Sequence, residues 1–402
     1  MKKIAILGGG ITGVTTAYAL AQRGAQVTLF ERQRYAAMET SFANGGQLSA
    51  SNGEVWNHPS TIVKGIKWML KGDAPLLVNP KPSWHKLSWM AEFISHIRHY
   101  ESNTVASAKL AIAAREHLFG WGVKEGIDFD VRHEGILHIY RDKAGFDHAG
   151  KVSQLLAKGG LERRAVTPDE MRAIEPTLNG TYYGGYYTQS DSTGDIHKFT
   201  TGLAKAVERM GGAIRYGHEI TRVQSNGTSA HVDSVVDGER FSESFDQIVV
   251  CAGVGSRALA AQLGDRVNIY PVKGYSITVN LLDEASQSGA PTVSLLDDET
   301  KLVTSRLGLD RFRVAGTAEF NGFNKDIRAD RIRPLVDWVN QCFPKVSTRQ
   351  VVPWAGLRPM TPSMMPKVGP GRHANVFYNT GHGHLGWTLS AATADSVASM
   401  MV

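Results

Sequence analysis

The chain has 402 residues, 42% of them hydrophobic and 20% charged, which excludes a disordered or fibrous protein and predicts two closely associated domains. Forty-four Lys and Arg against 38 Asp and Glu give a net charge of +6, but the basic residues are scattered, which argues against a nucleic-acid-binding protein. The two cysteines exclude a disulfide framework and fit a reducing compartment.

The first thirty residues predict a strand at residues 4–7, a helix at 11–22 and a second strand at 27–30. The apolar run that follows two N-terminal lysines also imitates a secretory signal. Its four glycines and its direct continuation into the second strand argue against one. Since no other stretch reaches the roughly 18 apolar residues that a bilayer requires, we expect any membrane contact to be peripheral.

The middle of the chain predicts a mixture of helices and strands without repeats or linkers, so we expect interleaved domains. Helices are predicted at residues 62–70, 89–100, 104–121, 147–157 and 197–210, and strands at 131–140, 213–216, 219–224, 230–236 and 247–251. Further strands are predicted at 274–279, 301–305, 312–316 and 376–378, helices at 330–342 and 388–401, and a loop-rich segment at 343–371.

A glycine-rich motif, Gly-Gly-Gly-Ile-Thr-Gly, follows the first predicted strand and fits the pattern G-x-G-x-x-G. Gly8 permits a tight turn, Gly10 lets the backbone approach a pyrophosphate, and Gly13 allows the helix to pack closely on the strand. The free N–H groups of Ile11 and Thr12 at the helix start favour a diphosphate. The motif therefore predicts a dinucleotide site.

The second strand ends in an acid that helps to choose the dinucleotide. Glu31 stands 18 residues after Gly13 and is placed to accept hydrogen bonds from ribose hydroxyls, while repelling a 2′-phosphate. NADP is therefore disfavoured. The motif itself does not choose between NAD and FAD, although its position at the N-terminus favours FAD.

Four further segments carry a family resemblance. They are ETSFANGGQLS at residues 39–49, YPVKGYS at 270–276, GLRPMTP at 356–362 and NTGHGHLGWT at 379–388. With the N-terminal motif and Cys-Ala-Gly at 251–253, they resemble the small subunit of bacterial D-amino-acid dehydrogenase, within the D-amino-acid oxidase and glycine oxidase superfamily. The resemblance covers essentially the whole chain. Residues 51–58 depart from the family pattern, and family members usually continue a little beyond position 402.

The resemblance implies an α/β fold, in which a glutathione-reductase-type FAD-binding Rossmann domain is interleaved with a mixed-sheet substrate-binding domain. It places the FAD domain at residues 1–90, 151–265 and 350–402, and the substrate domain at 91–150 and 266–349. It implies non-covalent FAD held by the motif residues Gly8, Gly10, Ile11, Thr12, Gly13 and Glu31 together with Arg32, Ser41, Asn44, Gly46, Gln47, Leu48, Val223, Ala252, Gly253, Gly383, Leu385, Gly386 and Thr388.

Physical chemistry agrees with a second cofactor contact near the C-terminus. The glycine-rich run at 381–386 precedes a predicted helix, whose exposed N–H groups suit the negative charge of a reduced flavin ring. An NAD enzyme has no need of such a site. The polar run at 40–49 could follow the diphosphate and the ring, or it could be an ordinary surface loop.

The implied activity is the oxidation of a D-amino acid by hydride transfer to flavin N5, giving a 2-oxo acid and ammonia, with electrons passed to a quinone-type acceptor. The resemblance also implies a cytoplasmic protein, loosely attached to the inner membrane. An oxidase or dehydrogenase of glycine, iminodiacids or cyclic secondary amines such as D-hydroxyproline is the alternative. A flavoprotein that relays electrons without its own substrate is a hypothesis of another class.

Three residues are candidates for the substrate side. Arg358 is expected to bind the substrate carboxylate with its guanidinium fork, as the matching arginine does in glycine oxidases, unless it forms a structural salt bridge. Tyr275 would donate its hydroxyl to the same carboxylate or be a packing residue. His384 is expected beside the substrate, although a role in stabilising its loop is the simpler interpretation. No metal site is expected.

Overall fold

The computed structural model describes residues 1–68 and 75–402. Its helices are α1 (Ile11–Gln22), α2 (Pro59–Trp68), α3 (Trp84–Ser95), α4 (Tyr100–Lys124), α5 (Lys143–Lys158), α6 (Pro168–Ile174), α7 (Ile196–Arg209), α8 (Ser256–Gln262), α9 (Glu284–Gly289), α10 (Ala329–Cys342) and α11 (Gly386–Met401). Short 3₁₀ turns cover His96–His99 and Gly253–Gly255.

The strands run through the whole described chain. They are β1 (Lys3–Leu7), β2 (Gln26–Glu31), β3 (Gln47–Leu48), β4 (Leu76–Val78), β5 (Ile136–Tyr140), β6 (Arg164–Val166), β7 (Gly184–Thr188), β8 (Ser192–Thr193), β9 (Ala213–Tyr216), β10 (Glu219–Ser225), β11 (Ala230–Val236), β12 (Glu239–Phe245), β13 (Gln247–Val250), β14 (Tyr270–Asn280), β15 (Ser294–Asp297), β16 (Leu302–Leu307), β17 (Arg311–Phe320), β18 (Val351–Met360), β19 (Lys367–Pro370) and β20 (Val376–Thr380).

One sheet is mainly parallel and has the order β19-β20-β13-β1-β2-β9. Strands β20, β13, β1, β2 and β9 run in parallel, and β19 closes the edge in the antiparallel direction. The apolar runs of β1 and β13 are buried, as expected for parallel strands that are covered on both faces. This sheet confirms the predicted strand, helix and strand at the N-terminus.

Helices α1, α7 and α11 cover one face of this parallel sheet. Val14 of α1, Phe199 of α7 and Val397 of α11 are fully buried in one cluster with Ile4 and Ile6 of β1. A three-stranded sheet of β10, β11 and β12 adds Val223 and Val232 to a cluster that includes residues of β1 and β13. Burial of these side chains supplies the main stabilisation of this half of the fold.

The second sheet is mixed and has the order β18-β14-β17-β16-β15-β5-β7-β6, with β4 paired to β17. Most neighbours are antiparallel, whereas β15 and β5 are parallel, as are β17 and β4. One face packs on α10, where Ile277 and Val279 share a cluster with Leu335 and Trp338. The predicted mixed sheet is therefore confirmed.

The prediction of a loop-rich segment at 343–371 is wrong, because residues 351–360 and 367–370 form β18 and β19. Pro353 and Pro359 lie inside β18 and argue against a strand in the sequence. Strand β18 lies at the edge of the mixed sheet. On an edge strand, the backbone positions that face away from the neighbouring strand need no N–H donor, so proline is tolerated there. Arg358, predicted from the sequence as a substrate-side residue, therefore lies on an edge strand and not in a loop.

Other predicted elements are present with shifted bounds. The helix predicted at 89–100 is divided between α3 and the 3₁₀ turn, and the helix predicted at 62–70 is seen as α2, since residues 69 and 70 lie outside the described residues. Strands β4, β6, β7 and β18 belong to the mixed sheet, although their residues were assigned to the FAD domain. The division into domains stays a prediction.

A β-bulge interrupts the pairing of β14 and β17 between Lys273 and Tyr275. Beside it, the fully buried Lys273 places its Nζ 3.3 Å from Glu319 Oε1, and the Tyr275 hydroxyl donates to Glu319 Oε2 at 2.8 Å. A buried carboxylate that balances a buried ammonium is costly to remove. Glu319 therefore stabilises the two strands at the bulge.

We expect Glu319→Gln to lower the free energy of unfolding by about 3–5 kcal/mol, because Lys273 would keep a buried charge without its partner. Urea unfolding at neutral pH measures this. The double variant Lys273→Met with Glu319→Gln should recover much of the loss, since both charges are then absent. A single variant as stable as the wild type would contradict this account of the bulge.

Candidate active site

Three turns lie at one edge of the parallel sheet because β1, β13 and β20 are parallel neighbours whose carboxyl ends point the same way. Ligands of open α/β sheets bind at such an edge. All three turns line a cavity of about 860 Å³ that extends to the mixed sheet. This volume is at the upper end of the range typical of ligand cavities.

The first turn follows β1 and is built for close approach. Gly8 has φ +116, and a Cβ there would lie 2.7 Å from the Cys251 carbonyl oxygen. A Cβ on Gly13 would overlap the Gly8 carbonyl oxygen, so this glycine allows helix α1 to pack on the turn. The Ile11 N–H at the start of α1 donates to Ser41 Oγ at 3.0 Å. Ser41 thus lies at the helix end where an anion would bind.

Glu31 closes the same turn from β2. Its carboxylate accepts from the Gly9 N–H at 2.8 Å and from the Gln33 N–H at 2.7 Å. Burial is the largest influence and raises the pKa of this carboxyl above its usual value. The side chain lines the cavity, where its oxygens retain lone pairs for a ribose hydroxyl.

The polar segment at 40–49 is part of the cavity wall and not a free surface loop. The Gln47 amide donates to Ser294 Oγ at 2.8 Å, while its Oε1 is buried without a partner in the described chain. The Ser49 N–H donates to Thr388 Oγ1 at 3.1 Å. Thr388 of α11 therefore joins this segment to the glycine turn after β20, which is called the second turn here.

The second turn follows β20 and precedes α11. Gly383 has φ +58, and its N–H donates to the Pro359 carbonyl at 3.0 Å. The His384 ring stacks on Trp56 with centroids 5.0 Å apart, and its Nδ1 is buried without a hydrogen bond among the described residues. Burial and then the nearby Arg358 charge lower the pKa of His384 to about 4. The ring is neutral at physiological pH.

Arg358 is held against the mixed sheet by backbone carbonyls. Its Nη1 donates to the Thr317 carbonyl at 2.6 Å and its Nη2 to the Gly316 carbonyl at 3.3 Å. Gly274 supplies the room, since a Cβ there would overlap the guanidinium. Burial lowers the pKa of Arg358 to about 10, so it stays charged. No carboxylate among residues 1–68 and 75–402 pairs with it, which excludes a salt bridge within these ranges.

Tyr275 has a different environment from the one predicted. Arg358 pairs with Val272, and residues that pair directly across strands share a face of the sheet. Side chains alternate between the faces along a strand, so Tyr275, three residues after Val272, lies on the opposite face. The Tyr275 hydroxyl donates to Glu319 there. Burial, followed by this bond, raises the pKa of the phenol well above its ordinary value. The geometry does not support the predicted bond from Tyr275 to a substrate carboxylate.

Most predicted site residues come together around the one cavity. Those that line it are Gly8, Gly10, Ile11, Thr12, Glu31, Arg32, Ser41, Asn44, Gly46, Gln47, Ala252, Gly253, Tyr275, Arg358, Gly383, His384, Leu385, Gly386 and Thr388. Gly13, Leu48 and Val223 do not line it. Leu48 pairs with Ser192, and the Val223 N–H donates to Gln262, so the predicted cofactor contacts of these three have no support from their placement.

The sequence did not predict a buried ion pair, Asp191 with Arg115, that lies behind the segment at 49–51. Asp191 is fully buried, pairs with Arg115, and accepts from the Ala50 N–H at 2.9 Å and the Ser51 N–H at 3.1 Å. Ser51 Oγ lies 2.8 Å from His138 Nε2. An isolated aspartate and arginine, 76 residues apart, give no local signal that could have revealed this pairing.

The site residues fit FAD. The first turn offers a cradle that a Cβ would fill and a helix start for the diphosphate. The second turn brings another helix start to the same cavity, where Gln47 Oε1 and His382 Nδ1 are buried without partners among the described residues. A flavin ring carries the donors and acceptors that such atoms lack. The same cavity thus suits both ends of one dinucleotide.

Comparisons with known proteins agree with this fit. The family model of FAD dependent oxidoreductases, DAO, matches residues 3–400. The chain is 62% identical to D-amino acid dehydrogenase 3 of Mesorhizobium japonicum over 100% of this chain and 97% of that protein. It is 40% identical to D-amino acid dehydrogenase of Dechloromonas aromatica over 99% and 96%. L-alpha-glycerophosphate oxidase from Mycoplasma pneumoniae with FAD bound shares the fold, with TM-score 0.75, 18% identity and coverage of 100% and 95%.

We expect His382 to make stability depend on pH. Its pKa is about 3 because of burial, whereas a histidine in an unfolded chain has a pKa of about 6.5. Between these values the unfolded chain binds one more proton, so the contribution is complete above about pH 6.5 and is lost as the pH falls. His382→Gln should flatten the fall in unfolding free energy between pH 6 and 4 by up to about 1.4 kcal/mol per pH unit. Parallel curves for variant and wild type would contradict this.

Proposed function

The chain belongs to the DAO family of FAD dependent oxidoreductases, and from this premise we propose that it oxidises D-amino acids to 2-oxo acids and ammonia. The observation that carries the proposal is the charged guanidinium of Arg358, which lines the cofactor cavity without a carboxylate partner among the described residues. A desolvated arginine fork is the side chain that best matches a carboxylate. An electron relay without its own substrate would have no need of such a group.

Arg358 would hold the substrate carboxylate, and the described residues around it would set the orientation of the amino acid. The carbonyls of Gly316 and Thr317 fix two of its nitrogens, which leaves other N–H groups of the fork for the ligand. His384 and Trp56 form a stacked wall of the same cavity. A neutral His384 would place no second positive charge beside a substrate amine.

When bound, FAD would supply the two-electron, hydride-accepting chemistry of its ring. Loss of a hydride from the Cα of a neutral amine would break the Cα–H bond and leave a cationic imine, with no other proton to remove. Water then hydrolyses the imine to the 2-oxo acid and ammonia. The residues of this chain would bind and orient the substrate.

We propose that FAD is held without a covalent bond. The thiol nearest to the first turn is Cys251, which is 3% exposed. Burial raises its pKa to about 12, so it is not the thiolate that a covalent link through sulfur requires. Denaturation in acid, followed by filtration, tests this, since all the yellow colour should pass through the filter and none should stay on the protein.

The D configuration and the acceptor are proposed from the names of the relatives, which are called D-amino acid dehydrogenases at 62% and 40% identity. A dehydrogenase passes electrons to a carrier other than oxygen, and we propose a quinone-type acceptor and peripheral attachment to the inner membrane. No helix in the described part of the chain is long and apolar enough to cross a bilayer.

Anaerobic titration of the purified yellow protein tests the activity. D-amino acids should bleach the oxidised flavin, L-enantiomers should not, and a soluble quinone should restore the colour faster than air-saturated buffer. Bleaching by glycine, an iminodiacid or D-hydroxyproline alone, with fast recovery in air, would favour the oxidase instead. No bleaching by any amine would contradict the proposal.

Arg358→Ala should raise the KM for a D-amino acid more than about tenfold, because a charged, desolvated hydrogen bond is worth about 2–5 kcal/mol. Steady-state kinetics with saturating acceptor measure this change. Arg222→Ala, on an exposed position of β10, is the matched control and should leave KM unchanged. Equal KM values in wild type and Arg358→Ala would contradict the assigned role.

Gly274→Ala tests the position of Arg358 without changing its charge. The added methyl would overlap the guanidinium, so the fork should move and the affinity for a carboxylate should fall at least about tenfold, or about 1.4 kcal/mol. Inhibition by a simple carboxylate measures this. Gly120→Ala is the control, because a Cβ there meets nothing within 4 Å. An unchanged inhibition constant in Gly274→Ala would contradict this packing.

A further inference from the structure

Thr317 is strained at the point where the bulge of β17 faces the cavity. Its φ is +58, a left-handed conformation that is an outlier for a β-branched residue. Lys273 pairs with Glu319 and Tyr275 with Gly316, so β17 contains one more residue than β14 between these pairs. Bulges of this kind re-aim side chains beside active sites, and such strain persists where its surroundings demand it.

The side chain of Thr317 is also unsatisfied. Its Oγ1 is buried and has no hydrogen-bond partner in the part of the chain that the structure describes, although Thr317 lines the cavity. Most buried hydroxyls are hydrogen-bonded, so a buried hydroxyl without a partner calls for an explanation. A ligand in the cavity would supply the missing partner.

The position of Thr317 suggests which ligand group this is. The carbonyl oxygen of Thr317 accepts a hydrogen bond from Arg358 Nη1 at 2.6 Å. Thr317 therefore lies directly beside the guanidinium. Next to this cation, a carboxylate oxygen is attracted and an ammonium group is repelled. A hydroxyl has one O–H to donate, and a carboxylate is the acceptor that the neighbouring arginine favours.

We propose that Thr317 binds the substrate carboxylate by donating its Oγ1–H to one carboxylate oxygen, beside the fork of Arg358. This inference rests on the proposed function and adds a second residue to its carboxylate site. The bulge then has two effects at one position, because it directs the carbonyl of Thr317 to the arginine and places the residue itself on the cavity wall. The left-handed backbone conformation of Thr317 is the consequence of meeting both requirements at one residue.

Thr317→Val and Thr317→Ser separate the hydroxyl from the shape of the residue. Valine keeps the branched Cβ at the strained position and removes the hydroxyl, whereas serine keeps the hydroxyl. The test measures the dissociation constants of propionate, which has only the carboxylate, and of isopropylamine, which has only the amine. Both are measured from changes in the visible spectrum of the oxidised, FAD-loaded protein, along with the unfolding midpoint of each variant.

We expect Thr317→Val to weaken propionate about ten- to a hundredfold, the effect of losing one hydrogen bond to a charged group. Thr317→Ser should stay within about threefold of the wild type, and isopropylamine binding should respond to neither change. Equal propionate binding in wild type and Thr317→Val would overturn the proposal. So would equal losses in both variants, which would indicate a backbone effect, or a wild type that does not bind propionate.

The same samples separate this inference from the proposed function. If D-amino acids do not bleach the wild type, the proposed function fails, while the propionate titrations still decide whether Thr317 donates to a carboxylate. If the wild type is bleached and Thr317→Val binds propionate and turns over D-amino acids with an unchanged KM, only the inference about Thr317 fails.

Discussion

The parallel register of β20, β13 and β1 is the constraint on which the site depends. Because these strands are neighbours and run the same way, the turns after them share one edge, and β1 and β20 are separated by about 10 Å, or two strand spacings. The helices that follow, α1 and α11, pack on each other, with the Thr15 hydroxyl 3.4 Å from the Ser390 carbonyl. Two helix starts far apart in sequence are thereby held together as one electropositive edge.

The mixed sheet complements this edge by fixing a cation opposite to it. Its edge strand β18 carries Arg358, the absence of a side chain at Gly274 gives the guanidinium its place, and the bulge at Thr317 turns two carbonyls to it. On the other face of the same strands, the ion pair of Lys273 and Glu319 joins β14 to β17 beside the bulge. The Lys273–Glu319 pair and the Arg358 guanidinium therefore lie on opposite faces of one sheet, which keeps Glu319 from neutralising Arg358.

The sequence was sufficient to predict what depends on local pattern. The first glycine turn was predicted with its strand, helix and acid, and the resemblance led to the second turn and to Arg358. It did not reveal β18, because prolines at 353 and 359 are tolerated only at a sheet edge. It did not reveal that the Tyr275 hydroxyl donates to Glu319, since the face on which a side chain lies depends on strand register. Thr317 gave no signal, because no sequence pattern predicts a left-handed threonine.

A crystal structure of the FAD-loaded protein with propionate would test directly whether the two glycine turns bind one cofactor. We expect one dinucleotide, with its diphosphate within hydrogen-bond distance of the N–H groups at the start of α1 and its ring against the turn that contains Gly383. We also expect the carboxylate on Arg358, facing that ring. A ring bound away from the Gly383 turn, or a diphosphate that does not touch the start of α1, would contradict the convergence of the two turns on one cofactor.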